Sequence, residues 1–212
     1  MRFSRLLPPA AVALAAAAGL AACADAPTGV RSAAPAGPAF GKTSTGNTNS
    51  YTISQTTVGD TVVTRFVVGT NELTAATFNI GYNSKIDFPY SASSICDVAT
   101  SSYGPAEWDK ACTASKVAVE VTAKNWYGPD GLPRTDFQPA MRFVPGLRLP
   151  VALYLRDKDQ RYAPGQQALF CSPAGCVDES LTDASVRTTY DATNGFWQRL
   201  LKHFSGYSVG VG

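Results

Sequence analysis

Residues 61–68, "TVVTRFVV", form a short run that is rich in β-branched side chains. Gly59-Asp60 precedes it and Gly69 follows it. Glycine and aspartate are residues that favour turns, and a short β-branched run bounded by them predicts a strand.

Similar short apolar runs recur on both sides of this strand. Residues 77–82 and 85–89 flank Asn83-Ser84, a pattern that predicts a hairpin. The other predicted strands are residues 117–123, 137–143, 151–155, 167–171, 186–190, 196–201 and 204–211. Only Asp178 to Asp183 suggests a helical turn. We therefore predict an all-β antiparallel sandwich, formed as a single domain by residues 51–212.

The chain begins with the pattern of a secretory signal. Arg2 and Arg5 precede an apolar stretch, Leu6 to Leu20, which is short and alanine-rich for a membrane span. We predict that residues 1–22 are a signal peptide and that residues 23–50 form a disordered tether, because their Ala, Pro, Gly, Ser and Thr cannot build a core.

The signal ends in Leu20-Ala21-Ala22-Cys23, which matches the lipobox of bacterial lipoproteins. We therefore predict a lipoprotein whose Cys23 carries acyl chains, such as palmitate, and holds the domain at the membrane of the cell envelope. Ala24 follows Cys23 where inner-membrane retention is associated with Asp, which favours the outer membrane. An ordinary signal peptide with a chance cysteine is the alternative.

Charge and cysteine content fit an exported protein. The chain has 18 Lys and Arg against 16 Asp and Glu, and two of the arginines lie in the signal, so nothing indicates a nucleic-acid partner. An even set of cysteines in the domain predicts two disulfides, and proximity favours Cys96–Cys112 and Cys171–Cys176. A zinc site is the rival interpretation, but neither spacing suits zinc. We expect no metal and no cofactor.

Several segments, taken in order, resemble the ZU-five domain, the β-sandwich of ankyrins and netrin receptors, in a bacterial lipoprotein form. The resemblance covers about residues 77–212. The segments that carry it are Ile86-Asp87-Phe88-Pro89, Ile95-Cys96-Asp97, Ser102-Tyr103-Gly104-Pro105, Trp108-Asp109, Val151–Leu155 and the terminal Lys202-His203-Phe204-Ser205-Gly206-Tyr207. It implies a non-enzymatic protein-interaction or structural module with a protein partner, which is the function we expect first.

The resemblance also implies a second function. In a death-domain relative and in a nucleoporin of different fold, the sequence His-Phe-Ser breaks its own Phe–Ser bond. Here Ser205 would attack the Phe204 carbonyl in an N-to-O acyl shift, and His203 would take the hydroxyl proton if both side chains share one strand face. Against this, His203 is the only histidine and would otherwise serve as a structural residue of the last strand, and only Ser205–Gly212 would be released.

Three other chemistries have weaker support. A serine hydrolase would need Asp109 or Asp136 beside His203, and no spacing supports that. Asp157-Lys158-Asp159, with Asp178 and Glu179, could supply oxygens to calcium, although a solvated turn is the simpler interpretation. A carbohydrate-binding module, with a polysaccharide partner, would use exposed aromatic residues, the candidates being Tyr103, Trp108, Trp126, Tyr127 and Trp197.

Overall fold

The computed structural model describes residues 50–70, 75–89 and 94–212. The predicted signal peptide, the lipidation site Cys23 and the tether up to residue 49 lie outside these residues. Within the described ranges, no helix is long and apolar enough to cross a membrane.

The described residues form twelve strands and three short 3-10 turns. The strands are β1 (Tyr51–Val58), β2 (Thr61–Val68), β3 (Ala76–Gly81), β4 (Ser84–Phe88), β5 (Val119–Tyr127), β6 (Pro133–Arg142), β7 (Val151–Arg156), β8 (Gln166–Ser172), β9 (Gly175–Val177), β10 (Thr189–Asp191), β11 (Phe196–Leu201) and β12 (His203–Val211). The 3-10 turns are Pro105–Glu107, Glu179–Leu181 and Ala184–Val186.

The strands build two antiparallel sheets. The larger sheet has the order β1-β2-β5-β6-β12-β8-β9, and the smaller has the order β10-β11-β7-β4-β3. This architecture confirms the predicted all-β antiparallel sandwich. Strand β12 pairs with β6 on one side and with β8 on the other, so the last strand is internal to the larger sheet.

Apolar side chains from both sheets meet in one core. Phe66, Phe137 and Phe204 come from the larger sheet, and Ile86 and Leu153 come from the smaller one; all five are fully buried. The Phe204 ring stacks on Phe137 with ring centroids 4.4 Å apart. Burial of such side chains contributes roughly 1.5–3 kcal/mol each, so Phe204 anchors the start of β12.

Most predicted strands agree with the structure to within a few residues, and the differences have physical reasons. Strand β1 is largely exposed at the edge of its sheet, so its sequence shows little apolar alternation to predict it. The predicted strand 186–190 is shortened to β10, because Ala184–Val186 forms a 3-10 turn capped by the Asp183 carboxylate.

Candidate functional site

The first residues of β12 lie at an irregularity in the sheet. The pairing with β6 passes from Phe204 to Gly206 with a register shift that skips Ser205, and the pairing with β8 begins only at Gly206. The alternation of core residues along β12 also changes at this point. Phe204 enters the core, and the next core residues are Tyr207 and Val209, three and five positions later. The Phe204–Ser205 peptide bond is therefore less constrained by the ladder than the rest of β12.

His203 is enclosed by aromatic rings. Only 1 % of its surface is exposed, and the indole of Trp108 stacks on the imidazole with ring centroids 3.8 Å apart. Phe170 meets it edge-on at 5.0 Å. Burial lowers the pKa of His203 below its ordinary value of 6.5, although the hydrogen bond with Glu179 partly offsets this. The imidazole is therefore neutral at pH 7.

Glu179 lies at the start of its 3-10 turn and receives three hydrogen bonds. Its Oε1 accepts from Nε2 of His203 and from Nε1 of Trp108, both at 3.1 Å, and its Oε2 accepts from the Arg199 guanidinium at 2.5 Å. Burial opposes ionisation of this carboxyl, but the His203 hydrogen bond and the Arg199 charge outweigh it, so its pKa is lowered. Glu179 is an ionised acceptor.

The carboxylate of Glu179 determines which nitrogen of His203 carries the proton. An ionised carboxylate can only accept a hydrogen bond, so Nε2 of the neutral ring must be the protonated nitrogen. The other nitrogen, Nδ1, then has a free lone pair. His203 is thus held in the tautomer whose Nδ1 can accept a proton.

Three hydroxyls surround Nδ1 of His203: Ser205 Oγ at 3.1 Å, the Tyr207 hydroxyl at 3.3 Å and the Tyr103 hydroxyl at 3.4 Å. Tyr207 already donates its proton to the His203 carbonyl at 2.7 Å, and Tyr103 donates its proton to the Phe204 carbonyl at 2.6 Å. Because a hydroxyl has one proton to donate, Ser205 is the hydroxyl left to donate to Nδ1.

The Tyr103 hydroxyl keeps its proton at neutral pH. Burial, together with the charges of Glu179 and Asp136, raises its pKa to about 12. The bond from Tyr103 to the Phe204 carbonyl is therefore a donor contact on the carbonyl that precedes Ser205.

Both predicted disulfides are present and confirm the proximity pairing. Cys96 is bonded to Cys112, with Cα atoms 5.7 Å apart, and Cys171 is bonded to Cys176, with Cα atoms 4.0 Å apart. Tyr103 lies inside the loop that the first disulfide closes. All four cysteines of the predicted zinc alternative are used in these bonds.

The other candidate residues are occupied elsewhere. Asp109 pairs with Lys202 at 2.5 Å, and Glu179 takes the place on Nε2 of His203 that a hydrolase would give to Asp109 or Asp136. Asp157 is buried rather than solvated, and its oxygens accept from the backbone nitrogens of Arg161 and Tyr162. Among the described residues, no three His, Cys, Asp or Glu side chains come together to bind a metal.

The aromatic residues considered for sugar binding do not share one exposed face. Trp108 and Trp197 are buried, while Trp126 and Tyr127 are half-buried. Tyr103 is 41 % exposed, but its hydroxyl points to the Phe204 carbonyl and its ring meets Trp108 edge-on at 4.8 Å.

The sequence predicts the pairing of Ser205 with His203 but not the residues that orient them. Glu179 was considered only as a calcium ligand, because it is 24 positions away from His203 along the chain. Tyr103 is 101 positions from the carbonyl that it contacts. Two local patterns in the sequence include these residues. The predicted helical turn at 178–183 contains Glu179, and the loop closed by the predicted Cys96–Cys112 disulfide contains Tyr103.

Comparison of the chain with models of known families, with curated proteins and with solved structures gave no match. The resemblance to the ZU-five domain therefore stays a prediction, carried by the residues quoted for it.

Proposed function

We propose that this domain cleaves its own Phe204–Ser205 peptide bond once, through an N-to-O acyl shift. The observation that carries the proposal is the 3.1 Å contact between Ser205 Oγ and the unprotonated Nδ1 of His203. A nucleophile within hydrogen-bond reach of a base that is itself oriented by a third group is the usual arrangement of an activated hydroxyl.

The chemistry balances with the residues at hand and one water molecule. Nδ1 of His203 takes the hydroxyl proton while Ser205 Oγ attacks the Phe204 carbonyl carbon, and the carbonyl oxygen takes up the negative charge. The intermediate then breaks the carbon–nitrogen bond, and His203 returns the proton to the Ser205 nitrogen. The product is an ester, which water hydrolyses to a Phe204 carboxylate and a free Ser205 hydroxyl.

Glu179 supports this reaction without touching the reacting bond. Its carboxylate holds His203 in the required tautomer and stabilises the imidazolium that forms when Nδ1 takes the proton. The skipped pairing of Ser205 also supports the proposal, because the shift needs the reacting peptide to distort.

The proposed reaction occurs within a molecule whose wider role we propose from its sequence. The domain is exported, anchored to the cell envelope through lipid on Cys23, and binds a protein partner or has a structural role there. A reaction that consumes its own bond is not turnover, so it is compatible with a non-enzymatic module. The disulfides support an oxidising compartment for the domain.

Trapping of the ester tests the proposal. The purified full chain is incubated with hydroxylamine, which attacks esters, and the products are identified by mass spectrometry. We expect faster release of Ser205–Gly212 and a hydroxamate on Phe204.

Two serine variants give the control. Ser205→Ala should abolish both products, whereas Ser208→Ala, on the same strand, should cleave like the unmodified chain. A chain that stays intact in hydroxylamine would refute the proposal. Release of the C-terminal segment that persists in Ser205→Ala would mean that another group attacks the bond.

A further inference from the structure

We infer that self-cleavage requires the Cys96–Cys112 disulfide. This disulfide holds in place the loop that carries Tyr103, whose hydroxyl is the hydrogen-bond donor to the Phe204 carbonyl. The inference rests on the proposed function and adds two things to it: a third catalytic residue, and a redox condition under which the bond breaks.

Tyr103 contacts an atom that reacts. Its hydroxyl donates to the Phe204 oxygen at 2.6 Å, and that same oxygen carries the negative charge when Ser205 attacks. A donor fixed at the place where charge develops lowers the barrier, and removal of one such donor from other enzymes slows them by roughly 10²–10³-fold.

Trp108, in the same loop, contacts the other two groups of the site. Its ring covers the imidazole of His203 at 3.8 Å, and its Nε1 donates to Glu179 at 3.1 Å. Its edge-on contact with Tyr103 connects the two loop residues. A displaced loop would therefore remove the donor on the carbonyl and also admit water to the base.

Besides the disulfide, the loop from residue 97 to residue 111 is held mainly by polar contacts. Trp108 is its only buried residue, so the loop has no apolar core of its own. Apart from the disulfide, its two ends are joined by backbone hydrogen bonds from the Asp97 nitrogen to the Thr113 carbonyl and from the Ser115 nitrogen to the Ile95 carbonyl, both at 2.8 Å. The buried Arg142 guanidinium adds bonds to the Glu107 carbonyl at 2.7 Å and to the Lys110 carbonyl at 2.5 Å, and Lys202 pairs with Asp109 at 2.5 Å. Loss of the covalent closure restores the conformational freedom that these contacts must then offset without the disulfide.

The redox step that closes the loop is ordinary thiol–disulfide exchange. The Cys96 and Cys112 thiols give two protons and two electrons to a disulfide oxidant, which leaves as two thiols. A reducing compartment keeps these cysteines as thiols. The chain is therefore intact before export, and it cleaves itself when the oxidising compartment closes the loop.

The second disulfide offers a matched control. Cys171 and Cys176 face each other in adjacent positions of the β8–β9 hairpin, so strand pairing already holds them together. Neither Tyr103 nor Trp108 lies in the segment between them. Cys171 pairs with Gly206 next to the reacting bond, but that pairing is made by the backbone, which serine keeps. Loss of this disulfide should therefore leave the loop and the reacting bond in place.

The experiment refolds the full chain from denaturant, with Cys23→Ser in every arm so that only the four domain cysteines can pair. The arms are the otherwise unmodified chain with reduced or with oxidised glutathione, then C96S/C112S, C171S/C176S and Tyr103→Phe with oxidised glutathione. Mass spectrometry under denaturing conditions follows cleavage of the Phe204–Ser205 bond, and near-ultraviolet circular dichroism reports the fold.

We expect cleavage in the oxidised chain and in C171S/C176S at comparable rates. C96S/C112S and the reduced chain should cleave at least about tenfold more slowly, and Tyr103→Phe roughly 10²-fold more slowly. Equal rates in a folded C96S/C112S and the oxidised chain would overturn the inference while the proposed function stands. If C96S/C112S does not fold, Tyr103→Phe decides, and a rate equal to that of the oxidised chain overturns the inference. An intact oxidised chain would instead refute the proposed function.

Discussion

At the scale of single residues, the proposed self-cleavage depends on one neutral histidine. His203 can act as a base only while Nδ1 is unprotonated, and burial lowers its pKa below 6.5. Histidine on a protein surface would be partly protonated near that pH. The hydrophobic enclosure by Trp108 and Phe170 therefore keeps the base available over a wider pH range.

This enclosure predicts how self-cleavage depends on pH. The rate should be constant near neutral pH and should fall, about tenfold per pH unit, only below the lowered pKa of His203. Acid should also lower the free energy of unfolding, because the folded state binds fewer protons at His203 than the unfolded chain does. Rates measured by mass spectrometry across pH 4 to 8 check this; a rate that rises on acidification would exclude His203 as the base.

The carboxylate beside His203 gives a second prediction. Glu179→Gln should slow cleavage by at least roughly 10²-fold, because an amide can present a donor to Nε2 and so favour the wrong tautomer. It should also destabilise the domain by about 3 kcal/mol, since the buried Arg199 loses its ion partner.

Urea denaturation and cleavage rates of Glu179→Gln are measured against Glu120→Gln. Glu120 pairs with the half-exposed Arg65 on the surface, so its substitution should change both quantities little. Equal behaviour of the two variants would show that Glu179 has no special role at the site.

At the scale of elements, β12 is both the site of cleavage and an internal strand of the larger sheet. Its residues after the reacting bond pair with β6 and β8, and Tyr207 and Val209 are buried in the core. These contacts do not depend on the Phe204–Ser205 bond. After cleavage of the bond, the segment Ser205–Gly212 should therefore remain paired in the sheet under native conditions.

Two valines of β12 test how strongly the end of this strand is held in the sheet. Val209 is 1 % exposed and Val211 is 74 % exposed, although both lie on the same strand. Val209→Ala should destabilise the domain by about 2 kcal/mol through the lost burial and the cavity left behind, whereas Val211→Ala should change it by under about 0.5 kcal/mol. Urea denaturation of both variants provides the comparison. Equal destabilisation would mean that the end of β12 does not hold the strand.

The strands also show which parts of the fold can be predicted from the sequence. The β-branched run of β2 and the turn-bounded hairpin of β3 and β4 are local patterns, so both were predictable. The exposed edge strand β1 lacks such a pattern. The pairing of Glu179 and Tyr103 with His203 depends on distant segments meeting across the fold, and no local pattern records such a contact.

At the scale of the whole molecule, the proposals form a sequence in time. The signal peptide would direct the chain out of the cytoplasm, lipid on Cys23 would anchor it, and an oxidising compartment would close the Cys96–Cys112 loop. Cleavage would then convert one chain into two segments held in a common sandwich. Each step uses a different part of the sequence.

Self-cleavage can be tested without any substitution by the intact mass of the oxidised, natively purified protein, recorded after denaturation so that paired strands separate. Self-cleavage should give two species, one that ends at Phe204 and one that consists of Ser205–Gly212. A single species in which Phe204 is still joined to Ser205 would refute self-cleavage.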